Sequence, residues 1–115
     1  MLHSLDIKEL IAGYQKGDFK PSEVVESSLS VIADRNAALN AFLQTRPEVS
    51  RARAKELDGK MLEAAKLPLF GVPIAIKDNI MAEGHIVSCG SRFLENHRAA
   101  YDATAVKQLK EAGAI

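Results

Sequence analysis

The stretch "LPLFGVPIAIKDNI", residues 67–80, decides how this chain is read. From Leu67 to Ile76 it holds no polar side chain, and then Lys77, Asp78 and Asn79 follow without a spacer. Within it Val72, Ile74 and Ile76 alternate with Pro73, Ala75 and Lys77, the period of an extended segment. Both sets are apolar up to the lysine, the pattern of a strand covered on both faces. Pro73 cannot donate to a ladder and belongs at the start or edge of such a strand. A strand is therefore expected over residues 72–77, and a lysine at its end either extends its head to water or has chemical work to do.

Helical signals flank that segment. Ile7, Leu10, Ile11 and Tyr14 recur at helical spacing after Ser4, with Gly17 as a stop, which predicts a helix over about 5–16. Pro21 suits a first helical turn, and Val25, Leu29 and Ile32 continue a stripe that fades near Asn36, for a helix over about 21–35. Pro47 opens a third helix, expected over about 47–65. Ala54, Leu57, Met61 and Ala64 face inward there, and Gly59 costs it about 1 kcal/mol against alanine. Asp102 is a candidate cap for a fourth, over about 103–112, with Ala105, Leu109 and Ala112 as its buried stripe and Gly113 ending it. "LNAFLQT" at 39–45 reads as a short strand. Helices interleaved with strands predict an α/β layered protein. "LKEAGAI" stops where a strand should begin, so these residues are expected to form the front part of a longer polypeptide.

Composition narrows the function classes. The chain has 115 residues, 47% of them hydrophobic and 26% charged, the profile of an ordinary globular domain. Fifteen lysines and arginines balance fifteen aspartates and glutamates, which argues against a nucleic-acid arm or a polybasic membrane patch. The one cysteine, Cys89, fits a reducing compartment, and no stretch has the roughly 20 apolar residues of a membrane span. With no signal-peptide pattern at the N-terminus, the expected location is the cytoplasm. His3, His85 and His97 have no mutual ligand spacing, so neither a metal site nor a bound cofactor is expected in these residues.

Lys77 is the candidate catalytic residue. Desolvation favours the neutral amine and can pull a lysine's pKa, ordinarily about 10.4, down by several units, turning an ammonium into a base for a hydroxyl. Serine hydrolases without a His-Asp pair use this Ser-Lys logic. The serine is not evident here: neither Ser-x-x-Lys nor Gly-x-Ser-x-Gly occurs, and nothing in "SCGS", residues 88–91, activates Ser88 or Ser91. Asp78 and Asn79 read as turn chemistry, and Cys89 as a small buried residue.

"GVPIAIKDNI" followed by "SCGSRFLENHRAAYDATAVKQLKEAGAI" resembles the amidase signature family. The resemblance is nearest to the glutamine-hydrolysing A subunits of glutamyl-tRNA(Gln)/aspartyl-tRNA(Asn) amidotransferases, and it covers most of residues 5–115 but only the first quarter or so of a family member. It implies an α/β fold with a mixed β-sheet core wrapped by helices, incomplete in these residues. It also implies a Ser-cisSer-Lys triad whose lysine matches Lys77, with both serines beyond Ile115, so that the chain alone is expected to be inactive. By the same resemblance, glutamine is the substrate and the ammonia passes to a partner subunit that amidates Glu-tRNA(Gln) using ATP and Mg, within a heterotrimer that meets tRNA through that partner. A stand-alone amidase acting on small or fatty amides, and a non-catalytic structural fragment, are the alternatives.

Overall fold

A computed structural model describes all residues, Met1–Ile115, as two compact units: Met1–Pro73 with Ala112–Ile115, and Ile74–Glu111. Four α-helices form, α1 (Ile7–Lys16), α2 (Pro21–Leu39), α3 (Pro47–Asp58) and α4 (Thr104–Glu111). Short 3-10 turns occupy Leu2–Ser4, Met61–Ala65 and Arg92–Leu94. No strand forms: of residues 39–45 and 72–77, both expected as strands, Leu39 ends α2 and the rest are irregular chain.

The first unit is built on α1, α2 and α3. Asp6 starts α1: its carboxylate accepts from the Glu9 amide at 2.8 Å while Glu9 accepts from the Asp6 amide at 2.8 Å. The cap is thus Asp6, and Ser4 lies in the preceding 3-10 turn. Pro21 opens α2, and the helix runs on past the expected end near residue 35 to Leu39. Asn36 explains both this and the missing strand. Its side-chain amide donates to the Phe42 carbonyl at 2.9 Å, and its carbonyl accepts from the Phe42 amide at 2.8 Å. Phe42 thereby spends its backbone groups on the helix rather than on a ladder.

The third helix is shorter than expected. It ends at Asp58, with Gly59 as its C-cap, and residues 61–65 continue as a separate 3-10 turn. The Asp58 carboxylate accepts from the Ser22 amide at 3.0 Å, tying the end of α3 to the start of α2. The core collects Leu10, Tyr14, Val24, Val25, Ala54, Leu57, Ala64, Phe70, Val72 and Ala114. Tyr14 sits at its centre, edge-to-face with Phe19 at 5.3 Å and with Phe70 at 5.8 Å, and its hydroxyl donates to the Gly71 carbonyl at 2.9 Å.

The nearest approach to a sheet in this unit lies between residues 69–72 and 112–115. Leu69 donates to Ala112 at 3.0 Å, Gly71 to Gly113 at 2.9 Å, and Ile115 to Val72 at 3.0 Å. The pairs ascend together, so the two segments run in the same sense. No backbone pairing continues along residues 74–77, because no neighbouring strand lies beside them.

The second unit is mostly loop. Ile86 and Arg98 form an isolated antiparallel bridge, flanked by bonds from Val87 to His97 and from Ala99 to His85, both 2.9 Å. Ala82, Val87, Ala99 and Val106 are its buried apolar residues. On α4 the buried position is Val106, whereas Ala105 is exposed, so the inward stripe is turned by one residue from the expected one. Asp102 does not cap α4. Its two oxygens accept from the Glu83 amide at 2.8 Å and the Lys110 ammonium at 2.6 Å, clamping the loop before the bridge to the last turn of the helix. Those two donors hold the Asp102 carboxyl below the usual carboxylate range, the Lys110 bond contributing most.

Candidate active site

Lys77 ends the irregular segment 72–77 and opens a turn. Its carbonyl accepts from the Ile80 amide at 3.0 Å, which reverses the chain directly after the lysine. The side chain is exposed, as are Ala75 and Ile76, rather than lying on a covered strand. The alternation of residues 72–77 specifies two faces, but faces are covered only by elements packed against them. Among these residues Val72 finds such cover and Ile76, at 38% exposed, does not.

Asp78 organises the surroundings of the lysine. One carboxylate oxygen accepts from the Ser88 amide at 2.9 Å and the other from the Ser88 hydroxyl. The Asp78 carbonyl accepts from the Cys89 amide at 3.1 Å. The bond from the Ser88 hydroxyl, followed by that from its amide, pulls the Asp78 carboxyl below its ordinary range. The carboxylate next to the lysine in sequence is therefore engaged by Ser88 and is not its ion-pair partner.

The "SCGS" stretch is a tight turn. Cys89 has a φ of 52°, in the left-handed region that costs a residue with a side chain about 1–2 kcal/mol. The Ser91 amide donates to the Ser88 carbonyl at 2.8 Å and the Gly90 amide to the Ser88 hydroxyl at 3.3 Å, and these bonds close the turn. Cys89 is exposed with a free thiol, which corrects its expectation as a buried residue: the left-handed turn holds it at the surface. None of the hydrogen bonds of the turn activates Ser91, and Ser88 is committed to Asp78, so neither serine forms a nucleophile with Lys77. No group of three or more His, Cys, Asp or Glu side chains converges to hold a metal ion.

Taken singly in the sequence, Asp78 is turn chemistry and Ser88 an idle candidate. The geometry joins them. The available signal is an Asx residue at a turn with a serine ten positions on, which names no pairing without a fold.

The family model described as "Amidase" matches residues 23–115, a span that takes in Lys77, Asp78 and Ser88, and the chain belongs to the amidase family. Its curated relatives narrow the likeness. It is 42% identical over 106 residues to the A subunit of the glutamyl-tRNA(Gln) amidotransferase of Persephonella marina, covering 91% of this chain and 22% of that protein. It is 41% identical over 110 residues to the corresponding protein of Geobacillus thermodenitrificans, covering 95% of this chain and 23% of that protein. The chain thus spans about a quarter of the length of the curated relatives it matches. A solved structure described as a vestigial protein complex that reveals the evolutionary origins of an s-triazine catabolic enzyme superposes with a TM-score of 0.85 at 31% identity. The match covers 96% of this chain and 25% of that one. No helix here is long and apolar enough to cross a membrane.

Proposed function

We propose that these residues belong to the glutamine-hydrolysing subunit of a tRNA-dependent amidotransferase, in which Lys77 is the terminal base of a Ser-cisSer-Lys relay. The observation that carries this reading is the likeness to amidotransferase A subunits across nearly the whole chain, Lys77 included. In the complete fold the segment 72–77 becomes a strand of a mixed sheet. The same-sense pairing of residues 69–72 with 112–115 supports that α/β arrangement as its first rung. Covering this strand dries the amine and favours its neutral form. Lys77 then takes a proton from a bridging serine. That serine takes one from the nucleophilic serine, which attacks the glutamine carboxamide; the proton returns along the relay to the leaving nitrogen as the C–N bond breaks, giving an acyl-enzyme and ammonia. Two further subunits, one of them using ATP and Mg to amidate Glu-tRNA(Gln), complete a heterotrimer in the cytoplasm. Both serines lie outside this chain, which by itself is inactive.

The test is Lys77→Ala in the full polypeptide assembled with its partners. Glutamine hydrolysis is lost, by about 1,000-fold or more as expected for removal of a base in a relay, while the fold persists by circular dichroism. Wild-type turnover in that variant removes Lys77 from the mechanism.

A second reading keeps the chemistry and changes the amide: a stand-alone amidase acting on small or fatty amides. The likeness to the structure bearing on an s-triazine catabolic enzyme supports the change of amide. Co-purification with two partner subunits and ammonia transfer to Glu-tRNA(Gln) select the first reading, and amide hydrolysis by a lone polypeptide selects the second.

A further inference from the structure

We propose that Asp78 and Ser88 are positioning residues for the reaction that Lys77 serves: their paired bonds fix the turn carrying the lysine and keep the adjacent carboxylate off its ammonium. The inference rests on the role proposed for Lys77 and adds two residues to it.

Three connections converge on Asp78, the residue that follows Lys77. The Ser88 amide and hydroxyl both donate to the Asp78 carboxylate, and the Cys89 amide donates to the Asp78 carbonyl. With the Ile80 amide on the Lys77 carbonyl, the two peptide groups flanking Asp78 are held, the first of them being the one that leaves Lys77. A lysine on a four-carbon stem has many rotamers, and a proton relay needs its nitrogen in one place. Fixing the Cα–Cβ direction is the part of that task the backbone can perform. The strained φ of Cys89 points the same way, since a left-handed non-glycine residue persists only where its surroundings over-determine it. Here the Asp78 grip on both Ser88 and Cys89 supplies that constraint.

The second effect is electrostatic. A carboxylate free to meet Lys77 would stabilise the charged ammonium and oppose the neutral amine the relay requires. Asp78 instead presents both oxygens to Ser88, so its charge is met by a hydroxyl and an amide. Ser88 thus acts on the lysine without touching it, through the conformation and hydrogen bonding of Asp78.

Steady-state glutamine hydrolysis by the full polypeptide with its partner subunits tests this, with Lys77→Ala, Asp78→Ala, Ser88→Ala and Ser88→Thr measured side by side. Asp78→Ala lowers kcat about 10- to 100-fold, the scale of a misplacement of about 1 Å, and leaves KM within about twofold. Ser88→Ala lowers kcat less, about 3- to 10-fold, because its amide still reaches Asp78, and Ser88→Thr, which keeps the hydroxyl, regains most of that loss. Hydrogen exchange at the Ser88 amide accelerates in Asp78→Ala. If Lys77→Ala is inactive while Asp78→Ala and Ser88→Ala turn over like wild type, this inference is overturned and the reading of Lys77 stands. Wild-type turnover in Lys77→Ala overturns both. Should Asp78→Ala not fold, Ser88→Ala, which deletes a single hydroxyl, decides: an unchanged kcat, or a loss carried by KM, or no recovery in Ser88→Thr, each refutes the positioning role.

Discussion

Replacing Tyr14 with phenylalanine removes one oxygen from the centre of the first unit, and the surrounding geometry sets the cost. Tyr14 is 2% exposed, and its hydroxyl donates to the Gly71 carbonyl at 2.9 Å. The phenylalanine ring keeps both edge-to-face contacts, with Phe19 and Phe70, so packing changes little. The loss is a buried hydrogen bond, and the Gly71 carbonyl keeps no replacement donor. That combination costs about 1–3 kcal/mol, a large share of the roughly 5–15 kcal/mol that holds a domain together.

The same substitution also changes the alkaline limb. Burial, aided by the nearby Asp58 charge, raises the Tyr14 phenol above its ordinary value of 10.0. A group whose pKa is higher in the folded state contributes stability that is complete below the unfolded value and lost as pH rises beyond it. The wild-type chain therefore loses up to about 1.4 kcal/mol per pH unit above pH 10 from this residue, and the phenylalanine variant does not. Urea unfolding followed by far-ultraviolet circular dichroism checks both limbs. At neutral pH the variant is the weaker by about 1–3 kcal/mol, and above pH 10 the gap narrows. A loss below about 0.5 kcal/mol at neutral pH, or a constant gap through the alkaline range, refutes the assignment of this hydroxyl as a structural bond.

Phe70→Ala empties a site that is 0% exposed and lowers the unfolding free energy by about 3–5 kcal/mol in the same assay. Gly17→Ala and Gly71→Ala separate backbone strain from crowding. Gly17 has φ of 76° with open space around it, and its replacement costs about 1–2 kcal/mol. At Gly71, with φ of 68°, an added Cβ lies 2.9 Å from the Pro21 ring and 3.0 Å from the Tyr14 ring, for a total of about 2–5 kcal/mol. Equal melting temperatures for the two glycine variants would contradict the close approach. Glu56 is held at about 2, against an ordinary 4.5, first by its bond to Lys60 and then by that to Arg53. Its contribution is present above pH 4.5 and fades as pH falls toward 2. Because the pair is nearly half exposed it amounts to less than about 1 kcal/mol, and Glu56→Gln flattens the acid limb by that amount in an acid titration of stability.

Helix starts are the most legible features, because each is fixed by neighbours in the chain. Pro21 and Pro47 open helices, and Gly17, in the left-handed region, closes the first. Gly59 reads in the sequence as a tolerated interruption, yet it ends α3, since a 3-10 turn that buries Ala64 satisfies the chain as well as a continued helix does. Asn36 and Asp102 depart from expectation for a shared reason. Both are short polar side chains whose oxygens serve whichever backbone or ammonium group the fold brings near, here Phe42 in one case and Glu83 with Lys110 in the other. The turn of the α4 stripe from Ala105 to Val106 is likewise set by what packs on the helix and not by its own spacing.

By itself the order of residues determined where helices begin, which positions carry oil-like side chains, and that a lone lysine ends an apolar run, because all of these depend on covalent neighbours. Only the tertiary structure decided that residues 72–77 form no ladder and that both Asp78 carboxylate oxygens are taken by Ser88. A strand needs a partner backbone and a carboxylate takes the donors placed within its reach, and neither partner is adjacent in the chain.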